Sequence, residues 1–282
     1  MAREVRPAFY DRFVCIASDC RHSCCRGWEI DVDDDTCAFY EQLEGPLGDE
    51  LRDALHEEDG VWSFRLTAEE NCPFLQRDGL CRLICVLGED ALCDICALHP
   101  RFFEDVGETE LSGVGLCCEA AASLLLEAPL LLEAPLTFLD EDDNAMTFPA
   151  LLDELGIDLP LRYEMLGDWG SLFRRYRACE PIDEGWRPLL DRLERTFDAD
   201  RVRAYAASLD RELIDRIYQY ILYRQLEKLP DAGADTLIRY AREAVDLILL
   251  WASIDGDLPE AVRAWSAQTE YCDDNVALLL NE

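Results

Sequence analysis

Apolar residues recur at helical spacing through the C-terminal half, over 189–197, 202–226 and 237–254, with charged residues between them. In the last stretch Ile238, Ala241, Val245, Ile248, Leu249 and Ala252 share one face, and Gly256 with Pro259 ends the helix. Tyr205, Tyr218, Tyr220, Tyr223 and Trp251 read as core rather than as a binding platform. The N-terminal half is less regular. It offers a helix over 36–55, a short strand over 61–66 and an apolar helix over 119–126. Residues 127–149 combine three prolines with an acidic run and break the pattern. The expected organisation is therefore a cysteine-rich domain at 1–126, a linker at 127–149 and a helical domain at 150–282. The expected fold class is mainly α, with an irregular cysteine-rich N-terminal module packed on a helical C-terminal half. Within the linker the run Leu-Leu-Leu-Glu-Ala-Pro occurs twice, at 124–129 and 130–135, too short a unit for a solenoid repeat.

Composition narrows the class. Half of the residues are apolar, yet no stretch approaches the ~20 uninterrupted apolar residues of a membrane span, so no membrane association is expected. The leading Met-Ala-Arg-Glu-Val-Arg-Pro has no apolar core or cleavage site of an export signal, which gives a cytoplasmic expectation. The net charge is −34, and Lys228 is the only lysine. Nucleic acid is excluded as a partner, because phosphate binding needs a basic face. An acidic, lysine-poor surface either reflects the solvent or genome bias of its source or attracts a basic substrate, and charge alone does not separate the two.

Candidate chemistry lies in the cysteines. Twelve of the fourteen fall within the first 118 residues: Cys15, Cys20, Cys24, Cys25, Cys37, Cys72, Cys81, Cys85, Cys93, Cys96, Cys117 and Cys118. Crowded thiolates repel one another unless a cation sits among them. A disulfide framework is the competing explanation, but 282 residues bury a sizeable core without such staples. The run from Cys72 to Cys81 surrounds an Asp78-Gly79 turn, which would return both thiols to one place. Cys93-x2-Cys96 is a familiar ligand spacing, and Cys117-Cys118 precede an apolar helix whose N-terminus favours a thiolate. Four thiolates suit tetrahedral zinc or an iron–sulfur cluster alike. His22 is a candidate nitrogen ligand.

Several separated motifs then carry a resemblance. Tyr10 with Phe13 comes first, and Cys15-x4-Cys20-x3-Cys24-Cys25 is followed by Gly27-Trp28 and Ile30. Further on stand Cys72-Pro73-Phe74-Leu75, Asp78-Gly79-Leu80-Cys81, Cys96 with Pro100-Arg101 after it, and Cys117-x-Glu119-Ala120-Ala121. In this order, over about residues 9–123, the chain resembles the flagellin lysine-N-methylase family, and more distantly the wider group of zinc- or iron-chelating cysteine-cluster proteins. Tyr271-Cys272-Asp273-Asp274-Asn275 is faintly similar to the family's C-terminal pattern.

The resemblance implies methyl transfer from S-adenosylmethionine to lysines of flagellin, or of another lysine-bearing protein, with a 4Fe-4S cluster held by shared cysteines. The matching positions are Cys15, Cys20, Cys24, Cys25, Cys72, Cys81, Cys96 and Cys117. The other six cysteines fall outside the pattern and read as packing thiols. His99 stands where the pattern often has an aromatic residue, and Cys118 replaces an expected proline.

Methylating lysine requires a neutral amine aligned with a sulfonium methyl, so an acidic or hydrogen-bonding group should orient it. Glu29, Asp31 and Glu119 are nearest the motifs, but no catalytic residue is assigned. Arg101 is a candidate for the donor's carboxylate, and Trp28 for stacking on its adenine or sulfonium. Gly113-Val114-Gly115 is too short a match for a dinucleotide-type loop, so a Rossmann-type donor domain is not expected. Two alternatives remain: a non-catalytic protein that handles or senses zinc or iron, and a redox protein cycling Cys93 with Cys96.

Overall fold

The computed structural model describes residues 3–127 and 136–281. Two compact units emerge: residues 14–99, and residues 1–13 together with 100–282. Strand β1 (Arg3–Pro7) thus belongs to the larger unit, and the chain leaves it to build the smaller one before returning.

Within 14–99, α1 (Asp34–Gln42) is capped by Asp33, whose Oδ1 accepts from Thr36 N at 2.8 Å. The single helix expected over 36–55 is two helices. Gly45, at φ +92°, turns the chain into α2 (Pro46–Ala54), which starts on a proline. Strands β2 (Leu55–Glu58) and β3 (Val61–Phe64) form a hairpin closed by Asp59-Gly60, both at positive φ, as a tight Asp-Gly turn requires. Two short helices follow, α3 (Arg82–Leu87) and α4 (Asp94–Leu98). Ile30, Val32, Tyr40, Leu51, Phe64, Phe74 and Leu83 form a core that also buries Cys37, Cys72 and Cys93.

The larger unit carries a five-stranded sheet in the order β4-β5-β1-β6-β7, with β4 (Arg101–Val106), β5 (Thr109–Val114), β6 (Thr137–Asp140) and β7 (Ala145–Thr147). β1 runs parallel to β5 and antiparallel to β6. Because β6 bonds back to β1 and β7 to β6, the break expected at 127–149 falls inside this unit. Most of the tandem Leu-Leu-Leu-Glu-Ala-Pro run, beyond residue 127, lies outside the described residues.

The helices of this unit are α5 (Glu119–Glu127), α6 (Phe148–Leu155), α7 (Trp169–Ala178), α8 (Trp186–Arg195), α9 (Ala199–Ser208) and α10 (Arg211–Arg224). They continue through α11 (Leu229–Ala232), α12 (Ala234–Asp255), α13 (Leu258–Thr269) and α14 (Asp273–Asn281). The stretch expected over 202–226 breaks where Asp210 caps α10. As expected, Gly256 in the left-handed region ends α12. Tyr220 and Tyr223 of α10 reach the sheet: Tyr220 Oη donates to Val114 O and accepts from Val114 N, both at 2.8 Å, and Tyr223 Oη lies 2.8 Å from Ser112 O. The tyrosine core reading therefore holds for α10. Among the described residues no helix is long and apolar enough to cross a membrane.

A buried carboxylate gives this unit a pH-dependent term. Asp246 of α12 accepts from the Tyr163 hydroxyl and, through Oδ2, from Leu166 N and Gly167 N at 3.2 Å each. Burial pushes its pKa up from 3.8 to about 6 despite these bonds. The folded state thus holds the proton more tightly than the unfolded chain does. The group's stabilising contribution is fully present below about pH 4, is lost as pH rises through about 6, and amounts to roughly 2–3 kcal/mol. Urea unfolding of wild type and Asp246→Asn between those pH values is expected to show a steeper loss of stability with rising pH in the wild type than in the variant.

Candidate functional site

Four of the eight family-matched cysteines come together in the smaller unit, each delivered by a different local device. Cys25 and Cys72 are set side by side by backbone pairing: Cys72 N donates to Cys25 O at 2.8 Å, Arg26 bridges Asn71, and Gly27 N donates to Glu70 O at 2.8 Å. The expected loop between Cys72 and Cys81 closes. Gln76 N donates to Leu80 O, Leu75 bridges Cys81, and Asp78 Oδ1 accepts from Leu80 N. Gly79 is required at its tip: its φ is +83°, and a Cβ there would come within 3.1 Å of Ser18 Cα. Cys81 then starts α3, and Cys93 starts α4, which carries Cys96. The start of α4 is fixed by Asp33, whose Oδ2 accepts from Asp94 N at 2.9 Å, and by Tyr40, whose hydroxyl donates to Ala91 O at 2.6 Å.

The electrostatics show that these thiols sense one another. The Cys24 thiol, then Ser23 and Arg26, lower Cys25 to about 6 against the opposing effect of burial. Burial raises Cys72 to about 12 and also raises Cys81, with the Cys25 charge adding to both. Cys93 is lowered by the hydrogen bond from Cys96, whose own thiol is raised by that bond, by burial and by the charges of Cys93, Cys25 and Cys72. Low thiols (Cys25, Cys93) thus stand among high ones (Cys72, Cys81, Cys96). Such a set is the kind that a soft cation discharges, and its donor chemistry suits zinc or an iron–sulfur cluster. As the chain stands, however, no group of three or more His, Cys, Asp or Glu side chains among the described residues is arranged to hold a metal ion.

Of the other matched cysteines, three precede Cys25 and one belongs to the larger unit. Cys15 is exposed and accepts from Ala17 N at 3.4 Å, Cys20 ends a 3-10 turn, and Cys24 is exposed beside Cys25. Cys117 belongs to the larger unit, where burial raises its thiol to about 12 beside the Tyr271 hydroxyl and Arg224. Cys93, outside the family pattern, packs with the central set. Its Cys-x2-Cys spacing was the available signal. Cys37 is a packing thiol, its Sγ 3.6 Å from Val32 O.

Trp28 is half-buried three residues after Cys25, whereas His22, Glu29 and Asp31 are exposed. Arg101 lies in the larger unit, its guanidinium 5.5 Å from the Tyr10 ring centre and 5.2 Å from that of Phe13. Glu119, in the same unit, sits in the first turn of α5. Gly113 and Gly115 serve close packing. A Cβ would stand 2.3 Å from the Phe102 ring at the first and 2.0 Å from the Tyr271 hydroxyl at the second.

Two depressions flank Pro73 and Phe74, directly after Cys72. One, of about 490 Å³, is lined by residues 73–78 and Arg82. The other, of about 340 Å³, is lined by Glu50, Asp53, Ala54, Arg65 and Leu66 as well as Pro73 and Phe74. Both volumes are within the range of small-ligand sites.

Known proteins are similar to about half of the chain. Lysine-N-methylases of Salmonella typhimurium and Salmonella choleraesuis are 31% and 30% identical to it over 152 residues, 51% of this chain and 38% of theirs. The chain therefore matches less than half the length of these two relatives. The flagellar biosynthetic protein FliU of Salmonella muenchen is 31% identical over 129 residues, 44% of this chain and 76% of its own length. No family model and no solved structure matches the chain. Shared segments of this length and identity, the last covering three quarters of its relative, place the chain in the flagellin lysine-N-methylase family.

Proposed function

We propose that this chain is a protein lysine N-methyltransferase that moves a methyl group from S-adenosylmethionine to lysines of flagellin, with a metal centre, most simply a 4Fe-4S cluster, held by Cys25, Cys72, Cys81 and Cys96. The observation that carries the reading is the convergence of those four family-matched thiols from four separate segments on one core, with Cys25 lowered among Cys72, Cys81 and Cys96 raised. The relatives named lysine-N-methylase support the reaction class. A flagellar name supports the acceptor.

When bound, a cluster supplies the positive charge that lets neighbouring thiolates coexist. The chain's own part is to hold the four sulfurs, and the transfer itself needs an unprotonated lysine Nζ. The amine lone pair forms the new C–N bond as the C–S bond of the sulfonium breaks, the electron pair goes to sulfur, and the methylated amine gives up its proton to solvent. Trp28, in the same unit as the four thiols, is proposed for the donor's ring. Zinc in place of the cluster, in a non-catalytic metal-handling protein, is the second reading, favoured by the exposed Cys15, a matched thiol outside the set of four.

The test is incubation of anaerobically purified chain with flagellin and donor, read by peptide mass spectrometry. Methyl groups on flagellin lysines, absent without donor, are the expected result. Unmodified flagellin with a fully metal-loaded protein would favour the metal-handling reading.

A further inference from the structure

The depression of about 340 Å³ is unusual in its charges. Glu50 is already neutralised, since the Arg82 guanidinium engages both of its carboxylate oxygens. Asp53 and Arg65 are exposed and form no side-chain hydrogen bond or ion pair among the described residues, although both line the same hollow. Their backbones are locked together at the open end of the β2–β3 hairpin: Arg65 N donates to Ala54 O at 2.8 Å, and Leu55 registers with Phe64. Between them the wall is apolar, made of Ala54, Leu66, Pro73 and Phe74. An unmatched anion and an unmatched cation on one apolar-walled hollow select a ligand that carries both signs. A phosphate would meet Asp53, and a simple polyamine would meet Arg65.

We propose that this hollow is the acceptor-recognition site: a lysine side chain lays its methylene stem on Pro73 and Phe74 with its ammonium on Asp53, and a carboxylate adjacent to that lysine in the acceptor binds Arg65. The inference rests on the lysine-methylase reading and adds a sequence preference to it. Lysine stems pack on apolar surface while their heads stay with a charged partner. A guanidinium is suited to a carboxylate. The site adjoins the cysteine-bearing loop, since Pro73 and Phe74 follow Cys72 directly.

The experiment measures fluorescence anisotropy of labelled Gly-Glu-Lys-Gly, Gly-Gln-Lys-Gly and Gly-Glu-norleucine-Gly with the whole chain. Removing either charge from the peptide is expected to weaken binding roughly threefold to tenfold. Asp53→Asn should erase the preference for lysine over norleucine, and Arg65→Gln the preference for Glu over Gln. Glu141→Gln, an equal change of charge on the exposed β6–β7 loop, should change neither. Equal binding of all three peptides by the wild type, or unaltered preferences in both variants, overturns the site. A steady-state methyl-transfer assay separates the two levels. Asp53→Asn should raise KM and leave kcat unchanged. Unchanged KM with active enzyme removes the site and leaves the methylase reading, whereas charge-selective binding without any transfer by the wild type removes the methylase reading and leaves the site.

Discussion

Cys72→Ser is expected to lower metal content by at least about a hundredfold in affinity, and methyl transfer with it, because one of four sulfur donors is lost from a set whose other members are held by backbone pairing. Cys72 is the strongest choice among the four: it is buried, its amide is bonded to Cys25, and its loop closes onto Cys81. Serine in its place keeps the volume and removes the soft donor. Two companions make the result interpretable. Cys37→Ser alters another buried thiol of the same core, one that rests against Val32 O, and should leave metal content unchanged. Cys85→Ser alters an exposed thiol that accepts only a long hydrogen bond from Gln76 at 3.5 Å, and should do nothing to either readout. Metal analysis and far-UV circular dichroism of the three variants check this directly. Cys37→Ser losing metal as fully as Cys72→Ser would mean that the core, rather than specific sulfur ligation, is what the metal requires.

The second large effect lies in the helical unit and concerns stability alone. Glu243 of α12 is buried and faces Arg175 of α7, with Arg175 Nε donating to its Oε2 at 2.9 Å, and Arg239 adds a contact at 3.4 Å. Glu243→Ala removes the carboxylate from two guanidinium groups, of which Arg175 is itself buried. Such a loss costs about 3–5 kcal/mol, because a buried cation is left without its counter-charge. By contrast, Asp200→Ala breaks an exposed pair with Arg203 on α9 and should cost less than about 1 kcal/mol. Urea denaturation midpoints followed by circular dichroism compare the two, and equal midpoints would show that the buried pair contributes no more than the surface one.

Much of the architecture is legible in the chain because helical periodicity and glycine punctuation are local signals. The Asp78-Gly79 turn, the Gly256 stop and the tyrosine-rich core of α10 follow from residues within a few positions of one another. The five-stranded sheet does not. β1 is Arg-Glu-Val-Arg-Pro, with only Val5 to announce a buried strand, and it gains its place from partners more than a hundred residues away. That pairing is also why the proline-rich stretch after residue 126 does not separate two units. The helix expected over 36–55 failed for a local reason, since the Gly45-Pro46 corner outweighs the surrounding helix formers.

The cysteines divide in the same way. Cys72 with Cys81 was readable as a closing loop, and Cys93 with Cys96 as a ligand spacing. The side-by-side setting of Cys25 and Cys72 depends on a backbone pairing across some forty-five residues that no motif encodes. Cys117 shares the family pattern yet belongs to the larger unit, where it packs beside Tyr271, a placement that sequence order does not reveal.

The central claim is that Cys25, Cys72, Cys81 and Cys96 hold a metal centre, and the most direct test is the iron, acid-labile sulfide and zinc content of the chain purified without oxygen, with its visible absorption. About four irons and four sulfides per chain with a broad band near ~400 nm are the expected result. Stoichiometric zinc without colour would contradict the cluster, and a metal-free protein that takes up neither would contradict the centre itself.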